Sequence, residues 1–123
     1  MNNNNKILLI DDEVEFISTL AERLRLRGYA PKIAETGNDG ITMLTNERFD
    51  IVVLDLMMPG LSGLDTLKQI KRIDSSLPVI LLTGHGSTKD GLEGLRIGAY
   101  DYLMKPLDIK ELMNKMTSAL KDK

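Results

Sequence analysis

The sequence predicts an α/β protein in which helices cover both faces of one five-stranded parallel sheet. Three short aliphatic runs, at residues 7–10, 51–54 and 79–82, are continuous rather than alternating, which is typical of strands buried on both faces. Two weaker strand candidates lie at residues 29–34 and 99–104. Helical patterns separate the five runs, and this alternation of strand and helix favours a parallel sheet.

The two weaker strands are predicted at the edges of the sheet. Pro31 has no N–H to donate to a neighbouring strand, and Asp101 stands between two tyrosines, which also suits an edge position. With the three aliphatic strands in the centre and right-handed crossovers between them, we expect the flavodoxin-like strand order 2-1-3-4-5.

The first, third and fifth helices have clear signals. The first is predicted before Gly28, with an apolar face formed by Phe16, Ile17, Leu20 and Leu24. Ser62 with Asp65, and Asp108 with Glu111, resemble capping boxes that open the third and fifth helices. The inner face of the fifth helix is predicted to contain Leu112, Met113, Met116 and Leu120.

The second and fourth helices are weaker. The second is predicted within residues 37–48 and the fourth over residues 88–98, with Gly91 and Gly94 inside it. Each internal glycine costs a helix about 0.8–1 kcal/mol relative to alanine. Either these glycines allow close packing, or the helix is marginal and samples more than one arrangement, which is the hypothesis we favour from sequence.

Composition places the chain among ordinary globular proteins. Its 123 residues suffice for one domain, and its net charge of −2 indicates neither a nucleic-acid nor a membrane surface. The absence of cysteine excludes disulfides and thiolate metal sites. No signal peptide or apolar run of about 18–20 residues is present. We therefore expect a cytoplasmic protein with a disordered polar tail at residues 1–5 and one domain over residues 6–123.

Residues that could form a ligand site follow the strands at the points where the strands end. They are Asp11, Asp12 and Glu13 after the first strand, Asp55 after the third, Thr83 and Gly84 after the fourth, and Lys105 and Pro106 after the fifth. Because ligands bind beyond the carboxyl ends of the strands in open sheets of this kind, these residues should converge on one crevice.

This set of residues suits phosphoryl transfer. Crowded carboxylates repel one another, and a divalent cation with oxygen ligands, such as Mg²⁺, relieves the repulsion. Lys105 can bind a phosphate oxygen or a free carboxylate, while Thr83 and Gly84 offer donors. Asp55 would be the nucleophile that forms an acyl phosphate. A single aspartate after a strand is usually a helix cap or turn residue. The hypothesis therefore depends on all of these residues occurring together, each at the end of its own strand.

Four motifs carry a family resemblance: "LLIDDE", "VVLDLMMPGLSG", "VILLTGHG" and "GAYDYLMKP". From Lys6 onward the chain resembles the response regulator receiver domains of two-component signalling. The resemblance implies that Asp55 is the phosphoacceptor and that Mg²⁺ is bound by Asp12 and Asp55 directly, by Asp11 largely through water, and by the backbone carbonyl of Met57.

The resemblance also assigns the switch residues. It makes Thr83 the switch hydroxyl, Tyr102 the switch aromatic and Lys105 the phosphate-binding lysine, with a cis peptide bond before Pro106. Met57 and His85 occupy the positions that tune autodephosphorylation. Because Met57 cannot orient water and a lone loop histidine is more often simply solvated, we expect slow hydrolysis.

The implied partners are proteins. The phosphoryl donor would be a sensor histidine kinase or a phosphotransfer protein. The face formed by the fourth helix, last strand and fifth helix would signal to a downstream protein or to an output domain missing from this chain, and a phosphorylation-dependent dimer is compatible with this face. No direct binding of nucleic acid or membrane is expected.

Two alternatives belong to other classes. An aspartyl-nucleophile phosphatase on a similar fold usually has a second acid two residues after the nucleophile, where this chain has Met57. A degenerate receiver used only as a scaffold is disfavoured because no phosphorylation residue is missing. We therefore expect no enzyme activity beyond the chain's own phosphorylation and autodephosphorylation.

Overall fold

Strands and helices alternate along the chain in the computed structural model, which describes residues 5–58, 62–84 and 88–122. The strands in these ranges are β1 (Lys6–Ile10), β2 (Ala30–Ala34), β3 (Ile51–Asp55), β4 (Val79–Thr83) and β5 (Asp101–Met104). The helices are α1 (Val14–Leu26), α2 (Gly37–Asn46), α3 (Gly63–Ile73), α4 (Thr88–Ile97) and α5 (Ile109–Lys121). Except for Asn5, the predicted polar tail lies outside the described residues.

The sheet has the predicted topology. Its order is β2-β1-β3-β4-β5 and every neighbouring pair is parallel. The two weaker strands lie at the edges, as expected from Pro31 and Asp101. Leu54 of β3 pairs with Ile10 on one side and Leu81 on the other. This register brings the carboxyl ends of the central strands to the same edge of the sheet.

The core has two layers because successive strand residues point to opposite faces of the sheet. On the face covered by α1 and α5, the buried residues of the three central strands are Ile7, Leu9, Ile51, Val53, Ile80 and Leu82. On the other face, packed by α3 and by parts of α2 and α4, they are Leu8, Ile10, Val52, Leu54, Val79 and Leu81. The central strands are therefore fixed on both faces up to their carboxyl ends.

The helix starts follow the sequence signals with one difference. The Ser62 hydroxyl accepts a hydrogen bond from the Asp65 backbone N–H at 3.1 Å, which confirms the cap of α3. At α5, Asp108 instead accepts from the N–H of Lys110 at 2.9 Å, one residue before the predicted Glu111. The helix still begins where the sequence predicts.

The apolar faces of α1 and α5 are slightly rotated from the predicted ones. In α1 the buried residues are Ile17, Leu20, Ala21 and Leu24, and Phe16 is only half-buried. In α5 they are Leu112, Met116 and Ala119, with Met113 and Leu120 half-buried. Ala21 and Ala119 thus take buried positions that the predicted faces assign to larger side chains.

Both glycines inside α4 lie against other side chains. A Cβ atom added at Gly91 would be 2.5 Å from Cδ2 of Tyr102, and one added at Gly94 would be 2.1 Å from Cδ1 of Leu81. These distances are too short for non-bonded carbon atoms. Close packing therefore accounts for both glycines without the marginal helix that we favour from sequence.

A helix that crosses a bilayer needs about 20 consecutive, mostly apolar residues. No helix that is formed by the described residues could cross a membrane.

Candidate functional site

The strand ends deliver the predicted residues to one place. Asp11 follows β1, Asp55 ends β3, Thr83 ends β4 and Lys105 follows β5. Backbone hydrogen bonds continue the sheet to this edge, from Asp11 N–H to Ala34 at 3.0 Å, Leu56 N–H to Leu82 at 2.9 Å and Lys105 N–H to Thr83 at 2.8 Å. Lys105 and Asp11 meet although 94 positions separate them in sequence.

Three carboxylates cluster in the crevice. One oxygen each of Asp11, Asp12 and Asp55 lies within 4.8 Å of the others. Asp11 and Asp55 are buried, whereas Asp12 is exposed. The Oδ1 atom of Asp11 accepts a hydrogen bond from the N–H of Glu13 at 2.9 Å, and Oδ1 of Asp55 accepts one from Met57 at 3.0 Å. Local backbone turns therefore fix the orientation of both buried carboxylates.

The pKa of Asp11 reflects mainly the burial of its carboxylate. Burial raises the pKa of Asp11 from its ordinary value of 3.8 to about 6. The negative charge of Asp55 adds to this rise, while hydrogen bonds from Glu13 and Lys105 oppose it. A divalent cation would remove the repulsion, and three carboxylates suit a hard cation that prefers oxygen. The residues present therefore fit a Mg²⁺ ion.

Lys105 lies at the centre of the acidic groups. Its Nζ atom is 3.0 Å from Oδ2 of Asp11 and 3.5 Å from Oδ2 of Asp55, and it also forms an ion pair with Glu13. The ring of Phe16 lies 4.5 Å from the ammonium group, a cation–π contact. Burial lowers the pKa of Lys105, but the hydrogen bonds to Glu13 and Asp11 outweigh burial and the net pKa is raised. The lysine is therefore held in its charged form.

Two contacts of Lys105 are not predicted from sequence. Glu13 appears there only as a third acid without a role, and Phe16 only as a core residue. Glu13 occupies the N-cap position of α1, where serine, threonine, aspartate and asparagine are strongly preferred. A glutamate at this position is therefore the sequence signal that the side chain of Glu13 does something other than cap the helix.

Of the predicted switch residues, Thr83 lies at the end of β4, next to the strand that carries Asp55, and Tyr102 lies on β5. Thr83 is fully buried, and its hydroxyl donates a long hydrogen bond of 3.5 Å to the carbonyl of Leu103. Gly84 follows it and is half-buried. Tyr102 is half-buried, with its ring against Gly91 of α4. The peptide bond between Lys105 and Pro106 is cis, the geometry that the resemblance implies.

Met57 and His85 are the two positions predicted to tune the lifetime of the phosphorylated state. The side chain of Met57 is exposed next to the acidic cluster, and its backbone N–H fixes Asp55. His85 lies outside the described residues.

Comparison with known proteins agrees with this geometry. The model of the response regulator receiver domain family matches residues 7–117. The chain belongs to this family. A structure of a receiver domain protein from Clostridium thermocellum superposes with a TM-score of 0.92 at 33% identity, covering 96% of this chain and 95% of that one. A receiver domain from Francisella gives 0.89 at 31% identity, covering 97% and 98%.

The curated relatives of this receiver domain are longer proteins. An uncharacterised transcriptional regulatory protein, YkoG of Bacillus subtilis, is 40% identical over 94% of this chain and 50% of its own length. The transcriptional regulatory protein CpxR of Escherichia coli is 40% identical over 95% and 50%. The chain thus spans about half the length of these relatives. The phosphatase alternative is not supported, because the matching family model is that of the response regulator receiver domain and these two relatives are named transcriptional regulatory proteins.

Proposed function

We propose that this receiver domain is a phosphorylation-dependent switch whose phosphoacceptor is Asp55. The observation that supports this most directly is the setting of Asp55 at the end of β3. Its carboxylate is buried, one oxygen is fixed by the N–H of Met57, and the other lies 3.5 Å from the Lys105 ammonium. A fixed carboxylate beside a cation suits attack on a phosphoryl group, since the reaction requires positioning and charge neutralisation.

The proposed reaction transfers a phosphoryl group from a phosphohistidine. An oxygen of Asp55 forms a bond to phosphorus while the bond between phosphorus and the imidazole nitrogen breaks. The electron pair of that bond stays on the nitrogen, and the product is an acyl phosphate on Asp55. Lys105 then binds a phosphoryl oxygen. The donor would be a sensor histidine kinase or a phosphotransfer protein.

The metal in this proposal is Mg²⁺. Asp11, Asp12 and Asp55 would hold it, together with the backbone carbonyl of Met57. When bound, Mg²⁺ supplies positive charge that offsets the negative charge of the carboxylates and of the phosphoryl oxygens. The domain's own residues orient the carboxylates, because the backbone N–H groups of Glu13 and Met57 fix Asp11 and Asp55.

The proposed output is a change on the face formed by α4, β5 and α5. The Thr83 hydroxyl would exchange its long 3.5 Å hydrogen bond to Leu103 for one to a phosphoryl oxygen. Tyr102 then moves, and because its ring packs on Gly91, the contact between β5 and α4 changes. A bistable contact of this kind is what a ligand-driven switch requires.

The receiver of that signal would be a protein domain. Curated relatives twice as long are named transcriptional regulatory proteins, so we propose an output domain in the same polypeptide or a separate downstream protein, with phosphorylation-dependent dimerisation as one route. We also propose that the domain catalyses only its own phosphorylation and autodephosphorylation.

The test is phosphate incorporation from acetyl phosphate in the presence of Mg²⁺. Wild type and Asp39→Asn, a matched change at an exposed position on α2, should each incorporate up to one phosphoryl group, whereas Asp55→Asn should incorporate none. Omission of Mg²⁺ should also prevent incorporation. Labelling of Asp55→Asn at the wild-type level would contradict the assignment, and continuous phosphate release from many esters would indicate a phosphatase.

A further inference from the structure

We infer that Glu13 is a positioning residue that restrains Lys105 in the unphosphorylated domain and competes with the phosphoryl group for it. This inference rests on the proposed function, because it concerns the same lysine. The Glu13 side chain pairs with Lys105 rather than capping its own helix.

The Glu13 carboxylate does not serve its own helix. The residue is at the N-cap position of α1, yet within the described residues its side chain makes no capping hydrogen bond. Its backbone N–H is used instead, donating to Asp11 at 2.9 Å. The side chain extends across the crevice and pairs with Lys105, which is 92 positions away in sequence.

Lys105 is thereby shared between two directions. Glu13 and the Phe16 ring hold it on the α1 side, with the ring 4.5 Å from the ammonium group. Asp55 lies 3.5 Å from Nζ, a longer distance than the 3.0 Å to Asp11. The lysine therefore lies closer to Asp11 than to the proposed phosphoacceptor Asp55.

Phosphorylation changes this balance. Asp11 and Asp55 would both be engaged by the metal or by the phosphoryl group, so their hold on the lysine is reduced. Glu13 is not one of the three clustered carboxylates, so the metal does not replace its pair with Lys105. In this proposal, movement of the lysine toward a phosphoryl oxygen breaks the pair with Glu13.

The strength of the ion pair between Glu13 and Lys105 depends on how exposed the two side chains are. The side chain of Glu13 is 60% exposed and that of Lys105 is 18% exposed. Exposed ion pairs are weak and are screened by salt. Removing the charge should therefore strengthen binding of a phosphoryl analogue by about two- to fivefold, the range that such pairs contribute.

The experiment measures beryllofluoride binding to the intact chain at saturating Mg²⁺ by amide NMR. Glu13→Gln should bind about two- to fivefold more tightly than wild type. The control is Glu15→Gln, the same substitution in the first turn of α1, at an exposed residue with no described contact to Lys105. It should bind like wild type, and Glu13→Asp, which keeps the charge, should lie between wild type and Glu13→Gln.

Two further readouts separate restraint of the lysine from a general structural effect. The Cε–Hε NMR signal of Lys105 should shift in metal-free Glu13→Gln but not in Glu15→Gln. The difference in affinity between wild type and Glu13→Gln should shrink when the salt concentration is raised from about 0.1 M to about 0.5 M, because charge interactions are screened.

The outcomes distinguish the two proposals. If wild type binds beryllofluoride and Glu13→Gln binds equally or more weakly, the role of Glu13 is overturned while the proposed function stands. If Mg²⁺ and beryllofluoride produce no binding to wild type, the proposed function fails, and the inference about Glu13 fails with it.

Discussion

Gly91 of α4 lies directly against the aromatic ring of Tyr102 on β5. A Cβ atom at position 91 would be 2.5–2.8 Å from three carbon atoms of the ring. The missing side chain therefore allows the helix and the proposed switch aromatic to make contact. Movement of the Tyr102 ring and the position of α4 are coupled through this contact.

Replacing Gly91 with alanine tests this contact. Alanine favours a helix by about 0.8–1 kcal/mol over glycine, but overpacking typically costs about 1–3 kcal/mol. We expect Gly91→Ala to lower the free energy of unfolding by up to about 2 kcal/mol, measured by urea unfolding with circular dichroism. In a Tyr102→Ala background the ring is absent, so the same change should instead stabilise the domain by about 0.8–1 kcal/mol. Stabilisation in both backgrounds would contradict the contact.

The response of α4 to phosphorylation is a second prediction. Amide hydrogens of residues 88–98 should exchange more slowly with Mg²⁺ and beryllofluoride than in the unmodified domain. The physical reason is that one position of the Tyr102 ring, and therefore one packing of α4, is selected when Thr83 is drawn to the phosphoryl group. Hydrogen exchange followed by mass spectrometry measures this. Equal protection in both states would place the switch elsewhere.

The raised pKa of Asp11 predicts how stability depends on pH in the metal-free domain. With a pKa of about 6 when folded and an ordinary value of 3.8, the folded state binds more protons than the unfolded state between these values. The contribution of Asp11 to the free energy of unfolding therefore falls as pH rises from about 4 to about 6. A tenfold change in proton affinity corresponds to about 1.4 kcal/mol, so the loss is at most about 3 kcal/mol.

Asp11→Asn isolates this contribution. The amide cannot ionise, so the difference in unfolding free energy between variant and wild type should grow in favour of the variant across this pH window. Saturating Mg²⁺ should reduce the difference, because the metal binds the ionised carboxylate of wild type. Parallel curves for the two proteins across this window, in urea unfolding without metal, would contradict the prediction.

The lifetime of the phosphorylated state is a fourth prediction. Met57 is apolar and exposed beside the acidic cluster, so it cannot orient water toward the acyl phosphate. We expect slow hydrolysis and little change in His85→Ala, measured as decay of the phosphorylated domain. Met57→Asn, which adds a group able to orient water, should accelerate decay. Fast wild-type decay that is lost in His85→Ala would show that the histidine controls hydrolysis.

The sheet was predictable from sequence because the signal for each strand lies within a short stretch of residues. Each central strand is a continuous aliphatic run, and Pro31 and Asp101 mark the edges. The position of each polar residue directly after a strand was enough to bring Asp55 and Lys105 to one edge. These features require only the period of the strands and the direction of a parallel sheet.

Contacts that depend on side-chain reach were not predictable in the same way. The pairing of Glu13 with Lys105 requires the turn after β1 and the exact end of β5 to be known together. The approach of Gly91 to Tyr102 likewise depends on the distance between a helix and a strand. A glycine in a helix has the same local propensity whether it is a weak point or a packing site, so sequence alone left both explanations open.

The distribution of the site along the chain has a consequence for protein synthesis. Asp11 is made early, whereas Lys105 follows the last strand to be translated, and the two meet only when β5 has joined the sheet. A nascent chain that has emerged only through β4 therefore lacks the cation beside Asp55. In the proposed function Lys105 neutralises charge beside the phosphoacceptor, so full acceptance of a phosphoryl group by Asp55 requires the whole sheet, including its last strand.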